Sequence, residues 1–158
     1  MRIAIALDWE ETLAQTISEI DEKGQLQVRY KPRAWLREFL SVLNSEDISF
    51  IGIYSWGMIT PIGLQHLDQW GFKNWCLDKF IKQVTMNLTE WRHATQDVDI
   101  VILVDDLDWM IVNKGKAAQF DHKMIGIRVP NFEEDNTTRA LQEASRRIIE
   151  AIASCKNT

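Results

Sequence analysis

Four short apolar runs are spread along the chain, each almost free of polar interruptions. They are rich in isoleucine and valine, and apolar and polar positions do not alternate within them. This pattern is typical of strands that are covered on both faces, as in a parallel sheet. We therefore predict strands at residues 3–7, 50–54, 100–104 and 125–129.

Helical periodicity occupies the intervals between these runs. Apolar residues recur at helical spacing after Pro32, and proline is tolerated in the first helical turn because its missing N–H is not needed there. Pro61 and Asn87 mark two further helix starts, and an amphipathic helix is predicted from about residue 138 to 155. Strands that alternate with helices predict a Rossmann-like, three-layer α/β/α fold with a mainly parallel sheet.

A different pattern follows the first strand directly. Residues 16–20 and 25–30 have strand character, and the Asp-Glu-Lys-Gly sequence at 21–24 is typical of a turn, so we predict a β-hairpin. The hairpin is expected to form a small flap over residues 13–31 of a single domain, 1–158. The core and the hairpin use the available length, which leaves none for a cap domain.

Composition and charge narrow the class of protein. A length of 158 residues can bury one core, and a formal charge of -5 argues against a general binder of nucleic acid or anionic membranes. The two cysteines are far apart and match neither a disulfide framework nor a zinc site, which favours a reducing compartment. The apolar runs are too short for a membrane span or a signal peptide. We therefore expect a cytoplasmic protein with no membrane partner.

Acidic and hydroxyl side chains directly follow three of the predicted strands. Asp8 and Glu10 follow the first strand, Ser55 follows the second, and Asp105 and Asp106 follow the third. A single carboxylate in such a place is usually a solvated turn residue. Ligands of open α/β sheets, however, bind outside the carboxyl ends of the strands. Two acidic clusters and a hydroxyl at these ends together indicate a site.

These residues resemble, in order, the motifs of the haloacid-dehalogenase-like (HAD) superfamily, closest to its capless branch of polymerase C-terminal-domain-type aspartyl phosphatases. The first family motif, Asp-x-Asp-x-Thr, is matched by Asp8-Trp9-Glu10-Glu11-Thr12. The second, a Ser or Thr after an apolar strand, is matched by Ser55, and the fourth by Asp105-Asp106. Residues 30–40 are similar to the segment that leads into that branch's first helix.

The resemblance implies a phosphatase that depends on Mg²⁺. Asp8 would attack the phosphorus and form an aspartyl-phosphate, and Glu10 would act as general acid and then base. Ser55 and a lysine would bind the oxygens of the transferring phosphoryl group. The ion would be held by Asp8, the main-chain carbonyl of Glu10 and Asp105. Asp106 would be an indirect metal ligand or would support the others.

Two departures from the family pattern leave a second interpretation open. Glu10 stands where the family has aspartate and is one methylene longer, whereas proton transfer requires heavy atoms within about 2.6–3.2 Å. The family lysine is assigned to Lys82 by its separation from Asp105. Lys79 is another candidate, and a different alignment puts Met86 there. The alternative is a catalytically degenerate HAD-fold binding or scaffold protein.

A receiver domain of the response-regulator type is a third, weaker interpretation. Such domains also gather acids at strand ends, but the spacing from Asp8 to Thr12 fits the HAD motif better. The substrate is expected to be phosphorylated, either a protein or a small phosphoester, because the site has no cap and the negative charge disfavours nucleic acid. The sequence selects neither substrate and does not indicate an oligomeric state.

The chain contains seven tryptophans, an unusually large number. Trp9 lies between two motif residues and is expected to point away from them into the core. Trp56 and Trp109 follow predicted strands, where they would either stack on a substrate ring or pack structurally. The others fit helical faces and are assigned to the core: Trp35, Trp70, Trp75 and Trp91.

Overall fold

A computed structural model describes residues 1–43, 48–53, 65–66, 69–70, 80–84, 96–107, 123–135 and 138–157, with the backbone alone for residues 50, 80–84 and 123. In chain order the strands are β1 Ile3–Leu7, β2 Ala14–Ile20, β3 Leu26–Pro32, β4 Ile48–Ile53, β5 Phe80–Val84, β6 Ile100–Asp105 and β7 Lys123–Arg128. The helices are α1 Leu36–Leu43 and α2 Ala140–Lys156.

Five strands form one sheet in the order β5-β4-β1-β6-β7, and all of its neighbouring pairs are parallel. Without the two hairpin strands, this is the order of a doubly wound sheet, in which the chain first adds strands on one side of β1 and then on the other. The order reverses between β1 and β6. The sheet confirms the predicted α/β class with a Rossmann-like, mainly parallel sheet.

The central strands lie where the uninterrupted apolar runs predicted them. Every residue of β1 and β6 is buried, as expected for strands that are covered on both faces. Strand β5 was not predicted, because Lys82 and Gln83 interrupt its apolar pattern after Phe80 and Ile81. It pairs with β4 at the edge of the sheet, and its register shifts beside Gly52 and Ile53.

The predicted hairpin is present and longer than expected, because β2 and β3 pair from Ala14 opposite Pro32 to Ile20 opposite Leu26. At its tip, Gly24 adopts a φ of 74°, a left-handed conformation that glycine takes at little cost. The prediction that Pro32 opens the first helix is wrong. Pro32 ends β3, at a strand position where a missing N–H is tolerated.

Helix α1 begins only at Leu36, because the preceding Trp35 has a φ of 69°, which is not helical. Its buried residues lie on one face, and it contacts α2, which in turn contacts β7. Helix α2 confirms the predicted closing helix and buries Leu141, Ala144 and Ile148. Residues 65, 66 and 69 are helical, within the segment predicted after Pro61, whereas the helix predicted at Asn87 lies outside the described residues.

Neither of the two helices bounded within the described part of the chain combines the length and apolar character needed to cross a bilayer.

Candidate active site

Strands β1 and β6 bring three aspartates together at the point where the strand order reverses. Asp8 directly follows β1, Asp105 ends β6, and Asp106 is the next residue. The amide of Asp8 donates to the carbonyl of Val104 at 2.9 Å, which extends the pairing of the two strands to the site. One carboxylate oxygen of each aspartate lies within 4.8 Å of the others, and all three residues are buried. We call these residues the three-aspartate cluster.

Thr12 bridges two members of this cluster with its hydroxyl. Its Oγ1 lies 2.9 Å from Oδ2 of Asp8 and 3.2 Å from Oδ1 of Asp106, and the residue is fully buried. Because a hydroxyl carries a single hydrogen, its donation is shared between the two carboxylates. Asp105 is oriented separately, since its Oδ1 accepts from the amide of Leu107 at 3.0 Å.

The electrostatics of the cluster suit a divalent cation. Burial, followed by the negative charge of Asp105, raises the pKa of Asp106, while hydrogen bonds with Thr12 and Asp8 lower it. Carboxylate oxygens are the ligands that Mg²⁺ prefers, and a bound ion would offset the repulsion between the acids. The all-oxygen donor set therefore fits a hard divalent cation such as Mg²⁺.

A tight turn over residues 9–14, the first-motif turn, returns Thr12 to the cluster. The carbonyl of Trp9 accepts hydrogen bonds from the amides of Thr12, Leu13 and Ala14 at 3.3, 2.9 and 3.1 Å. Glu11 has a φ of 60° within this turn, a conformation that costs a non-glycine residue roughly 1–3 kcal/mol. The turn therefore needs support from the surrounding structure.

Arg33 supplies this support. Its Nη1 donates to the carbonyl oxygens of Glu11 and Thr12 at 2.9 and 3.1 Å. Its Nη2 donates to Oδ2 of Asp135 at 3.1 Å and to the carbonyl of Pro130, and the guanidinium lies 4.4 Å from the ring centroid of Phe132. Arg33 was not among the site residues predicted from the sequence. The only signal was a charged residue between Pro32 and an apolar helix.

Glu10 follows Asp8 by two positions in the chain, and its side chain is hydrogen-bonded to the hairpin. The hydroxyl of Tyr30 donates to Oε1 of Glu10 at 3.0 Å, and the Glu10 carboxylate is not one of the three clustered carboxylates. Burial, and then the charge of Glu10, raises the pKa of Tyr30 to about 12, so its hydroxyl keeps its proton at neutral pH.

A cluster of aromatic side chains packs around Tyr30. The ring of Trp9 is fully buried, which confirms its predicted place in the core, and stacks on Trp70 with centroids 5.2 Å apart. Tyr30 meets Trp9 edge to face at 6.0 Å and His66 at 5.7 Å. Trp35 and Trp70 pack against the core, as predicted.

The remaining predicted site residues are either outside the described part of the chain or described by their backbone alone. Ser55, Trp56, Trp109 and Lys79 lie outside the described residues. Ser55 follows β4, which is parallel to β1 and therefore ends at the same edge of the sheet as the cluster. The backbone of Lys82 lies within β5, in the irregular stretch between Ile81 and Val84.

Loss of the Thr12 hydroxyl is expected to destabilise the fold. We predict that Thr12→Val lowers the unfolding free energy by about 1–3 kcal/mol, because two buried carboxylates lose a donor. Urea denaturation in the presence of a chelator measures this. The matched control, Thr16→Val on the half-exposed hairpin, is expected to change stability by less than about 0.5 kcal/mol. Equal stability of the two variants would contradict the prediction.

Comparisons with known proteins identify a structural likeness alone. No protein-family model and no curated protein matches the sequence. Among solved structures, the chain is similar to the fission yeast RNA polymerase II CTD phosphatase Fcp1 bound to beryllium fluoride, with a TM-score of 0.46 and 14% identical residues. The alignment covers 96% of this chain and 51% of that one, so the chain spans about half the length of the protein it matches.

Proposed function

We propose that this chain is a Mg²⁺-dependent phosphohydrolase that works through an aspartyl-phosphate on Asp8. The observation that carries the proposal is the three-aspartate cluster, which is buried and located where the strand order reverses, with Thr12 bridging its members Asp8 and Asp106. The HAD-like motifs along the sequence support the same chemistry. Mg²⁺ would be held by Asp8, the main-chain carbonyl of Glu10 and Asp105, with Asp106 as an indirect ligand, and it would neutralise charge on the phosphate and the acids.

The first step transfers the phosphoryl group to the protein. A carboxylate oxygen of Asp8 forms a bond to phosphorus while the bond between phosphorus and the ester oxygen breaks. The leaving oxygen takes the electron pair of that bond and receives a proton from the Glu10 carboxyl group. Ser55 and Lys82 are proposed to bind the phosphoryl oxygens, one by a hydrogen bond and the other by its charge.

The second step returns the protein to its starting state. Glu10, now ionised, accepts a proton from a water molecule whose oxygen attacks the phosphorus. The bond between phosphorus and the Asp8 oxygen breaks, its electron pair returns to the carboxylate, and inorganic phosphate leaves. Glu10 is then protonated for the next cycle, so protons and electrons balance over the two steps.

The substrate is proposed to be a phosphoprotein or a small phosphoester. The proposal follows from the sequence-based expectation of a single domain over residues 1–158 without a cap, in which the site would be open to both. The negative charge of the chain disfavours nucleic acid. We propose the cytoplasm as the location, because the two cysteines are far apart in the sequence and match neither a disulfide framework nor a zinc site.

Metal-dependent turnover tests the proposed function. The purified chain is expected to hydrolyse p-nitrophenyl phosphate in Mg²⁺, to stop when EDTA removes the ion, and to recover when Mg²⁺ is restored. Asp105→Asn is expected to need more Mg²⁺ for half-maximal activity, since it replaces one ionised ligand with a neutral one. Absence of hydrolysis above the buffer rate in Mg²⁺ would contradict the proposal.

A degenerate binding or scaffold protein is the second candidate. The observation that favours it is the position of Glu10, whose carboxylate is bound to Tyr30 outside the three-aspartate cluster. This candidate predicts that the chain binds Mg²⁺ in calorimetry without hydrolysing phosphoesters. If the parent is inert and Glu10→Asp gains turnover, the site is degenerate at that position alone.

A further inference from the structure

One hydrogen bond joins the hairpin to Glu10, the general acid of the proposed function. Tyr30, on β3, donates from its hydroxyl to Oε1 of Glu10 at 3.0 Å. Glu10 has one more rotatable bond than an aspartate at the same position, so its carboxylate has more positions to sample. A donor that binds one of its oxygens reduces this freedom and lowers the entropy cost of holding the acid in place.

Tyr30 is itself held firmly enough to do this. The residue is 8% exposed, and its backbone is paired with Thr16 in the hairpin. Its ring meets Trp9 and His66 nearly at right angles, with interplanar angles of 79° and 88°. Edge-to-face contacts of this kind favour a particular ring orientation. The hydroxyl is therefore fixed by packing.

We propose that Tyr30 is a positioning residue that fixes the Glu10 carboxyl group for proton transfer to the leaving oxygen of the substrate. The inference rests on the proposed function, in which Glu10 is the general acid. The hydrogen bond uses Oε1, so Oε2 is the oxygen that exchanges the proton. It gives the proton to the leaving oxygen as the phosphorus–oxygen bond breaks, and regains one from water in the second step.

Dependence on the leaving group tests the role of Tyr30. A general acid matters most when the leaving group is a poor one, so kcat/KM is measured for phenyl phosphate and p-nitrophenyl phosphate with Tyr30→Phe. We expect a loss of about 10-fold or more for phenyl phosphate and less than about 3-fold for p-nitrophenyl phosphate. Phenylalanine keeps the ring packing, and circular dichroism and the melting temperature verify the fold.

Two further variants separate positioning from a general loosening of the hairpin. Arg29→Gln breaks the exposed ion pair with Glu19 on the same hairpin, and it is expected to leave both substrates unaffected. Glu10→Gln is expected to show the same dependence on leaving group with a larger loss. In the Glu10→Gln background, Tyr30→Phe is then expected to have no further effect, because the group that it positions is gone.

Several outcomes of these measurements would overturn the inference. Tyr30 does not position the acid if Tyr30→Phe lowers kcat/KM equally for the two substrates. The same conclusion follows if Tyr30→Phe lowers kcat/KM as much in the Glu10→Gln background as in the parent, or if it raises kcat/KM. If the parent chain hydrolyses neither substrate in Mg²⁺, the proposed function fails and the inference fails with it. An active parent with equal losses overturns the inference alone.

Discussion

Replacement of Asp8 by asparagine is expected to reduce hydrolysis of p-nitrophenyl phosphate by at least about 10³-fold, as loss of a catalytic nucleophile commonly does. The amide keeps the size of the side chain and leaves an oxygen that accepts from Thr12, whose hydroxyl lies 2.9 Å from the present carboxylate. It cannot form the acyl phosphate at a useful rate. The initial rate at saturating Mg²⁺ measures the loss.

Asp97→Asn is the matched control for this substitution. Asp97 is exposed and forms a surface ion pair with Arg2 at 3.5 Å, so the same chemical change there is expected to leave the rate unchanged. The Asp8 variant is also expected to unfold at no lower a temperature than the parent in EDTA, because one of three clustered negative charges is removed. Retention of a tenth of the parent's rate would exclude Asp8 as the nucleophile.

Replacement of Arg33 by methionine is expected to lower the unfolding free energy by about 3–5 kcal/mol. The side chains of Arg33 and Asp135 are only 2% and 7% exposed, so the substitution leaves a carboxylate buried without this counter-charge. The carbonyl oxygens of Glu11 and Thr12 lose their donors as well, and these donors hold the turn with the positive φ. Urea denaturation measures the change.

Arg146→Met serves as the control, since Arg146 forms ion pairs with Glu143 and Glu150 on the exposed side of α2. Its loss is expected to leave the unfolding free energy nearly unchanged, because solvent screens exposed ion pairs. Adding Asp135→Asn to Arg33→Met is expected to recover part of the lost stability, since the buried charge that Arg33 had balanced is removed. Similar stabilities of the two methionine variants would contradict the role assigned to Arg33.

Features that depend on local composition were predicted well. Strands β1 and β6 are buried throughout, so their apolar runs are uninterrupted and visible in the sequence. Strand β5 was missed because Lys82 and Gln83 break the run. Pro32 was misassigned because proline is compatible both with the first helical turn and with the end of a strand in a hairpin.

In the candidate site, too, features of local sequence were predicted and long-range contacts were not. Asp8, Asp105 and Asp106 were expected to meet because the ends of parallel strands share one edge of the sheet. The partners of Arg33 and Glu10 could not be predicted. Arg33 and Asp135 are 102 positions apart in the sequence, and a single long-range contact of this kind leaves no periodic signal. Tyr30 was visible as a strand position and as the first residue of the segment that resembles the family, and neither feature indicates a hydrogen bond to Glu10.

The two ends of the hairpin differ in what they contact. The rung between Ala14 and Pro32 joins the first-motif turn to Arg33, whereas the last rung joins the exposed Ile20 and Leu26. Six residue steps at about 3.4 Å put roughly 20 Å between these rungs. Insertions or deletions at residues 21–24 therefore leave the rung beside the carboxylates unchanged. The tip can vary in length and sequence among related chains, or accept a fused binding module, without rebuilding the chemistry at the base.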